Sequence, residues 1–489
     1  MSSSSSSAAI IPAAIPVLQP GQRIGYVTDA EGNLDYFERY VALSTVVRYD
    51  APGGPDGTGN KRLEFVDDAC LFVFGGDVCD KGAGDIRLVR QLVSFKRRHP
   101  QRVFLLLGNR DTNKLRYTSE LHPDVVTSAD VADDRSFPYW IEPAAKRVTP
   151  NDYRAKKGGL PDTPTSRCLW MHAETMGADG LFEFRRKELA LLAGGGASAP
   201  AVITDDDVLT SLRTSVQPSS QDHGAFMLDY MRAGSMAVRL GPHLFVHGAV
   251  TEANMGRAPP TGPTHEIASV DEWVHALNTW TQQQLDEHAA RPQWGPARGS
   301  DRGGHGLLDY GVPNGFHGAT VVYATNLDNG NAVHIKPAVA AFLARSNVHS
   351  VVNGHVPHGD CPLVIRTQAQ RVITADTSYS DMAQPDNRGC AVSEVVLHAD
   401  GHAHVHGVLK DGRAIEYRLA PPQQRDAEAT TTTTTDAMFD PYIGKPLKDN
   451  SWVKAKLKGQ DTYIVCRGEG FQLHVRELAL ASLLDELAQ

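Results

Sequence analysis

The feature that most constrains the fold is a repeated order of segments, in which a short apolar run ends at polar residues or glycine. Residues 70–74 form a continuous apolar run, which is typical of a strand buried on both faces, and residues 85–98 follow with a helical period. Residues 23–28 and 102–107 repeat the apolar run. Buried strands alternating with helices are typical of an α/β protein, whose ligands bind at the carboxyl ends of the strands. The sequence therefore predicts an α/β fold with functional loops at its strand ends.

Apolar runs of strand length continue along the chain, at residues 169–172, 243–247, 320–325, 350–353, 371–375 and 391–397. The segments between them carry helical patterns, and we interpret two of them, at about 112–242 and 251–316, as insertions. The threonine-rich tract at 429–435 has low complexity and predicts a linker. We therefore expect a disordered tail at 1–20, a main domain at 21–422, a linker at 423–437 and a small, separable α+β appendage at 438–489.

Composition and charge exclude several classes of protein. Of the 489 residues, 41% are hydrophobic and 21% are charged, which excludes a wholly disordered or fibrous chain. The net charge of −9 lacks the basic excess that binding to a phosphate backbone needs, so duplex nucleic acid is not an expected partner. No apolar run approaches the roughly 18 residues of a membrane span, so no membrane partner is expected. Six scattered cysteines without a CxxC pair indicate reduced thiols in a cytoplasmic protein. The oligomeric state stays open.

Five short polar motifs follow apolar runs, each at the end of its own predicted strand. They are Asp29-x-Glu31, Gly76-Asp77-x-x-Asp80, Gly108-Asn109-x-Asp111, His247-Gly248 and Gly354-His355. Carboxylate, amide and imidazole groups are ligands for divalent metals, and two adjacent metals need a shared carboxylate. Asp77 is the best candidate for the carboxylate that bridges two metals. Five such motifs in one order favour a metal site over unrelated turns.

This order resembles the calcineurin-like metallophosphoesterase superfamily, whose motifs run DxH, GDxxD, GNH[DE], H and GH. The segments FGGDVCDKG, LLLGNRD, LFVHGAV and VVNGHVPHG are similar to its phosphoprotein phosphatase and diadenosine tetraphosphatase branch. The resemblance extends from Tyr26 to about Asp376. It implies a four-layer α/β/β/α sandwich, here with large helical insertions and the C-terminal appendage. It also implies two metal ions, of manganese, iron or zinc, at one edge of the sheets.

The resemblance assigns metal ligands to positions in this sequence. Asp77 would bridge two metals, and Asn109 and His247 would bind one of them. His358 is a further candidate, because the family often has a histidine at the position of Pro357, one residue earlier; a loop histidine is the alternative reading. The full ligand set that it implies is Asp29, Glu31, Asp77, Asn109, His247, His355 and His358.

Two departures from the family pattern bear on the chemistry. Glu31 stands where the family has histidine, and whether it binds metal through oxygen is an open question. Arg110 stands where the family has its general-acid histidine. Because arginine stays protonated, Arg110 cannot supply a proton to a leaving group, although its fork suits phosphate oxygens. His172 is a candidate for the displaced proton donor. The candidates for catalysis are therefore Arg110, Asp80, Lys81, Asp111 and His172.

The sequence thus predicts a metal-dependent phosphoesterase that hydrolyses phosphate monoesters, in phosphoproteins or small phosphorylated molecules. A hydroxide bridging the two metals would attack phosphorus in line, while Arg110 and Lys81 neutralise charge on the phosphoryl oxygens. Two alternatives stay open. One is a hydrolase of dinucleoside polyphosphates such as diadenosine tetraphosphate, and the other is a catalytically silent binding module on the same fold.

Overall fold

The structure is a computed structural model that describes residues 16–50, 61–122, 140–141, 147–194, 202–218, 224–259, 266–294, 302–377, 390–422 and 438–487. The predicted linker at 423–437 lies outside the described residues, as does most of the predicted tail.

The strands, in chain order, are β1 (Arg23–Val27), β2 (Val47–Asp50), β3 (Arg62–Phe65), β4 (Cys70–Phe74), β5 (Val103–Leu106), β6 (Gly234–Ser235), β7 (Ala237–Leu240), β8 (His243–Val246), β9 (Leu327–Asp328), β10 (Asn331–Ala332), β11 (Ser350–Asn353), β12 (Leu363–Arg366), β13 (Arg371–Thr374), β14 (Val392–His398), β15 (Ala403–Val408), β16 (Ala414–Leu419), β17 (Trp452–Lys456), β18 (Thr462–Glu469) and β19 (Gln472–Ala479).

The α-helices are α1 (Leu34–Leu43), α2 (Asp85–Arg98), α3 (Asn109–Thr112), α4 (Tyr117–Glu120), α5 (Pro150–Lys156), α6 (Pro164–Trp170), α7 (Leu181–Ala193), α8 (Asp205–Thr214), α9 (Phe226–Ala233), α10 (Val270–Ala290), α11 (His305–Tyr310), α12 (Pro337–Arg345) and α13 (Leu480–Glu486). Short 3₁₀ turns cover Asn113–Arg116 and Gly315–Gly318, and a π-helical turn covers Met171–Thr175.

Two large sheets form the centre of this mixed α/β protein. The seven-stranded sheet has the order β16-β15-β14-β1-β4-β5-β6, and the five-stranded sheet has the order β12-β13-β11-β8-β7. The central pairs are parallel: β1 with β4, β4 with β5, and β11 with both β8 and β13. Antiparallel strands flank them on both sheets.

The two sheets share one buried apolar layer. The rings of Tyr26 in β1 and Phe245 in β8 stack there with their centroids 5.8 Å apart, and Val73 and Val352 belong to the same cluster. Helices pack on the strands from the other side, with α1 against β14, α2 against β5 and α10 against β7. Burial on both faces is the reason that these strands are continuous apolar runs in the sequence.

One predicted strand is instead helical. The apolar run at 169–172 ends helix α6 and begins the π-helical turn. The side chain of Thr163 caps this helix and Pro164 stands in its first turn, which are both signals for a helix start. The prediction was wrong because a short apolar run does not distinguish a buried helix from a strand.

A second predicted strand, at 320–325, forms bends. The hydroxyl of Thr320 accepts the N–H of Tyr323, and the carbonyl of Val321 accepts the N–H of Gly248 in the loop after β8. The segment is therefore held by that loop and not by a neighbouring strand. In addition, β6 and β7 lie inside the segment predicted as the first insertion, and they pair with β5 and β8, respectively. The end of that segment belongs to the main sheets.

The residues expected as a C-terminal appendage share the core of the large sheets. Strands β17, β18 and β19 form a three-stranded antiparallel sheet, from which Val453 and Val465 enter the apolar layer described above. Leu457 pairs with Ile415 of β16, and the ammonium of Lys454 donates to the carbonyl of His358. These contacts make the C-terminal sheet a structural support for the main sheets.

No helix in the described ranges has both the length and the apolar character needed to cross a membrane. All six cysteines lie in these ranges as free thiols, five of them buried.

The shared core predicts that a cavity in the C-terminal sheet destabilises the whole protein. Leu457→Ala removes a side chain that is 2% exposed and should lower the free energy of unfolding by about 2–5 kcal/mol. Phe471→Ala, at a side chain that is 82% exposed, is the control and should change it by less than about 0.5 kcal/mol. Calorimetry should give one transition shifted to lower temperature. A separate early transition, with the main one unmoved, would mean that residues 438–487 are an independent domain.

Candidate metal centre

Loops from both sheets bring the predicted motifs together in one buried polar cluster. The ligand atoms of Asp77, His247 and His355 lie within 4.8 Å of one another, and so do those of Asp29, Glu31 and Asp77. Asp77 belongs to both groups. The loops that supply these residues follow β1, β4, β8 and β11 at their carboxyl ends. Asp77, the predicted bridging ligand, therefore lies where the two groups meet.

Together with Asn109, the first group offers donors that suit a divalent metal ion. His247 Nε2 lies 3.4 Å from Asp77 Oδ2 and 3.2 Å from Asn109 Oδ1. His247 Nδ1 lies 2.8 Å from the carbonyl oxygen of Gly75, to which it donates, so Nε2 faces the cluster. The ring of His355 lies 5.3 Å from that of His247. One carboxylate, one amide oxygen and two imidazoles suit manganese, iron or zinc.

The charges of the cluster shift the pKa values of its members. Burial by itself lowers the pKa of His247, but the carboxylates of Asp77 and Asp29 outweigh it and raise that pKa to about 10. Burial would raise the pKa of Asp77, yet His247 and Arg110 hold it well below the usual range. Burial and the charge of His247 lower the pKa of His355 to about 3, so this imidazole is in the neutral form that binds metal.

Two cations engage the second group of ligands. Arg110 Nε lies 2.6 Å from Glu31 Oε1 and 3.6 Å from Asp77 Oδ2, and Arg110 Nη1 lies 3.2 Å from Asp80 Oδ2. Lys81 Nζ lies 3.5 Å from Glu31 Oε2. The guanidinium thus contacts three carboxylates at once. Glu31, for which metal binding was an open question, forms ion pairs with both cations.

The backbone at the site is strained. A left-handed φ costs a non-glycine residue about 1–3 kcal/mol and is found where the surrounding structure imposes it. The residues at the site that have a φ in this region are Asp29 (52°), Glu31 (46°), Asp77 (53°), Asp80 (129°) and His355 (74°). Backbone strain therefore accompanies five of the residues at the site.

Two glycines allow the motifs to approach each other. A Cβ on Gly354 would lie 2.1 Å from Asp29 Oδ2, and a Cβ on Gly108 would lie 2.0 Å from Asp77 Oδ1. Real Cβ atoms do not approach oxygen this closely, so any side chain at either position would push a carboxylate out of place. This is the physical reason for glycine before Asn109 and before His355.

Asp111 supports the loop of Asp77 and does not face the cluster. Its buried carboxylate accepts the N–H groups of Asp77 and Val78, both at 2.9 Å, and of Gly108, at 2.8 Å. Burial and the charge of Asp77 raise the pKa of Asp111 to about 7. Asp111 was predicted among the catalytic residues, and the structure gives it the place of a positioning residue.

Asp80 has a comparable place beside Arg110. Its wholly buried carboxylate lies 2.6 Å from Lys114 Nζ in addition to the contact with Arg110. Lys114 Nζ also donates to the carbonyl of Arg110 at 2.7 Å. The sequence analysis missed Lys114, although its position one helical turn after Arg110 was the available signal.

Two predicted histidines lie outside the cluster. His172 Nε2 lies 3.0 Å from the hydroxyl of Tyr117, and burial holds the pKa of His172 well below its usual value. His358 is buried near Lys454, and burial, followed by the charge of Lys454, lowers its pKa to about 3. Neither belongs to the two ligand groups found among the described residues. His172 lies in a π-helical turn and not after a strand, and His358 stands one residue beyond the family position.

Comparisons with known proteins add the following. No family model and no curated protein matches the sequence. Among solved structures, the chain is similar to a cold-active protein-tyrosine phosphatase of a psychrophilic Shewanella species, with 12% identity, 81% of this chain and 80% of that chain covered, and a TM-score of 0.38. It is also similar to a Saccharomyces cerevisiae protein serine/threonine phosphatase described as similar to human phosphatase PP5, with 11% identity, coverage of 83% and 82%, and a TM-score of 0.32. Both TM-scores are below 0.5, so neither likeness assigns a function to this chain.

The buried pair of Asp80 and Lys114 predicts a measurable loss of stability. Asp80→Asn leaves the ammonium of Lys114 without its carboxylate and should lower the free energy of unfolding by about 3 kcal/mol in a urea titration. Adding Lys114→Met should recover part of the loss. Asp229→Asn removes one partner of an exposed ion pair with Arg97 and should cost less than about 1 kcal/mol. Equal effects of the two aspartate substitutions would contradict a buried role for Asp80.

Proposed function

We propose that the protein is a metal-dependent phosphoesterase that hydrolyses phosphate monoesters, in phosphoproteins or small phosphorylated molecules. The observation that carries this proposal is the convergence of Asp77, Asn109, His247 and His355 beside Arg110. These four side chains would hold a manganese, iron or zinc ion. Such an ion acts as a Lewis acid that activates water for in-line attack on phosphorus.

The residues around the ligands support this chemistry. Asp111 fixes the loop of Asp77 through three backbone N–H groups, and the carbonyl of Gly75 fixes the tautomer of His247. Arg110 and Lys81 place permanent positive charge beside the ligands, where it can stabilise the charge that develops on phosphoryl oxygens. A phosphorylated substrate is therefore the proposed partner.

The family resemblance implies a four-layer α/β/β/α sandwich and two metal ions. Two sheets around a shared apolar layer, with helices outside them, support the sandwich. A second ion would need Asp29, Glu31 and Asp77, and Arg110 already engages two of these carboxylates. Free thiols support the expectation of a reducing compartment such as the cytoplasm.

One observation favours the hydrolysis of dinucleoside polyphosphates as a second candidate function. Arg110 cannot act as a general acid, and no described histidine other than the candidate ligands His247 and His355 lies in the two ligand groups. A phosphoanhydride has a good leaving group that departs without a proton, so this substrate class needs no such acid.

The proposal predicts that Asp77→Asn lowers activity by several orders of magnitude while the fold is kept. The substitution removes the negative ligand of the site, so metal content should fall with activity. Activity is measured on p-nitrophenyl phosphate, phosphopeptides and diadenosine tetraphosphate, after manganese, iron or zinc is added to the metal-free protein. Asp68→Asn, at a fully exposed carboxylate, is the control and should leave both unchanged. If the metal-loaded parent hydrolyses none of these substrates, the silent binding module is the better conclusion.

A series of phosphate esters tests the absence of a general acid. General-acid help is worth about a hundred- to ten-thousand-fold, mostly with poor leaving groups. We expect the rate to fall steeply as the pKa of the leaving group rises, so that aryl phosphates and anhydrides react much faster than alkyl phosphates. Arg110→His should make the slope shallower, while His172→Ala should leave it unchanged. A shallow slope in the parent would contradict this expectation and indicate another proton donor.

A further inference from the structure

We propose that Arg110 and Lys81 take the place of a second metal ion, and that the protein binds a single metal ion through Asp77, Asn109, His247 and His355. This inference deepens the proposed function and rests on it for the reaction. The metal count itself depends only on the geometry of the cluster.

The position of Glu31 is the first reason. Its carboxylate is buried, with Oε1 2.6 Å from Arg110 Nε and Oε2 3.5 Å from Lys81 Nζ. Both oxygens therefore face cations. Arginine has no lone pair to offer a metal and does not lose its proton in proteins. A metal ion beside Glu31 would have to displace a charge-assisted hydrogen bond, which is among the strongest noncovalent contacts in proteins.

The anchoring of Arg110 is the second reason. Arg110 Nη1 donates to Asp80 at 3.2 Å and to the carbonyl of Gly177 at 2.8 Å. The backbone N–H of Arg110 donates to Asp77 Oδ1 at 2.8 Å. The residue is thus held at both its backbone and its guanidinium, and moving the guanidinium away from Glu31 would also break its contacts with Asp80 and Gly177.

The charge balance is the third reason. The buried carboxylates that meet here are those of Asp29, Glu31, Asp77 and Asp80, and the cations paired with them are those of Arg110, Lys81 and Lys114. With the imidazoles neutral, as metal binding requires, these four carboxylates and three cations sum to one negative charge. A single divalent ion leaves a net charge of about plus one, which suits an anionic phosphate, whereas a second would leave about plus three. Uncompensated charge of that size is costly to bury.

In the proposed reaction, one metal ion and one guanidinium would therefore supply the positive charge of the site. Arg110 Nε lies 3.6 Å from Asp77 Oδ2, so the fixed cation stands directly beside the carboxylate that both groups share. Positive charge on that side of the site is therefore present in every folded molecule and does not depend on the supply of a second ion. The family pattern assigns the position of Arg110 to a proton donor, whereas here the position holds a fixed cation.

Metal stoichiometry tests the inference without reference to activity. Metal-free protein is loaded with excess Mn²⁺ or Zn²⁺, freed of unbound ions and measured by inductively coupled plasma mass spectrometry. We expect one equivalent per chain, and in the Mn²⁺ form the six-line electron paramagnetic resonance signal of an isolated ion. Two equivalents, or the spectrum of an exchange-coupled pair, would overturn the inference, as would the absence of bound metal.

Substitutions in each of the two ligand groups test their contributions to metal binding separately. Lys81→Ala with Arg110→Ala should raise the capacity to two equivalents, because it frees Glu31, whereas Arg97→Ala, at an exposed arginine, should leave it at one. If the double variant does not fold, Glu31→Gln serves instead and should keep one equivalent, while His247→Ala should bind less than a tenth of one. A folded double variant that still binds one equivalent would overturn the role given to the two cations.

The outcomes also distinguish this inference from the proposed function. One equivalent of metal without hydrolysis of any phosphate ester would support the single site and contradict the phosphoesterase. Hydrolysis of a phosphate ester by protein with two equivalents of metal would support the phosphoesterase and contradict the single site.

Discussion

The ion pair between Glu31 and Arg110 is the interaction on which the rest of the site depends. It joins the loop after β1 to the loop after β5, and Arg110 extends it to Asp77 and Asp80 in the loop after β4. Buried carboxylates repel one another unless cations or protons compensate them. The guanidinium, together with Lys81, allows the first and second motifs to lie in contact. A divalent ion held by His247 and His355 would add positive charge beside the same carboxylates.

The sheets impose this geometry at a cost in backbone strain. Parallel strands end at the same side of each sheet. Hydrogen bonds link the loops of the two sheets there, from His247 Nδ1 to the carbonyl of Gly75 and from the N–H of His355 to Asp29 Oδ2. The left-handed φ angles of site residues such as Asp77 and His355 are tolerated because the shared apolar layer fixes the strands on either side. The stability that the core supplies, including its C-terminal sheet, thus offsets the cost of holding carboxylates and imidazoles close together.

The sequence was sufficient to predict that four candidate ligands lie together and insufficient for their surroundings. Asp77, Asn109, His247 and His355 each follow a buried run beside a glycine, and both signals are local. The pairing of Glu31 with Arg110 was beyond prediction, since it depends on how the loops after β1 and β5 approach each other across the end of β4. The same limit explains the wrong strand prediction at His172, because its apolar run fits a helix as well as a strand. It also explains why the C-terminal sheet was expected to be separable, since its contacts with β16 cannot be inferred from its own composition.

An anomalous-diffraction crystal structure of the Mn²⁺- or Zn²⁺-loaded protein tests the central claim most directly, because it gives the number of ions and their ligands in one measurement. We predict one anomalous peak, coordinated by Asp77, Asn109, His247 and His355, with the contact between Arg110 and Glu31 still present. A second peak among Asp29, Glu31 and Asp77, with Arg110 displaced, would contradict the single site. A map without any peak near Asp77 would contradict the metal centre altogether.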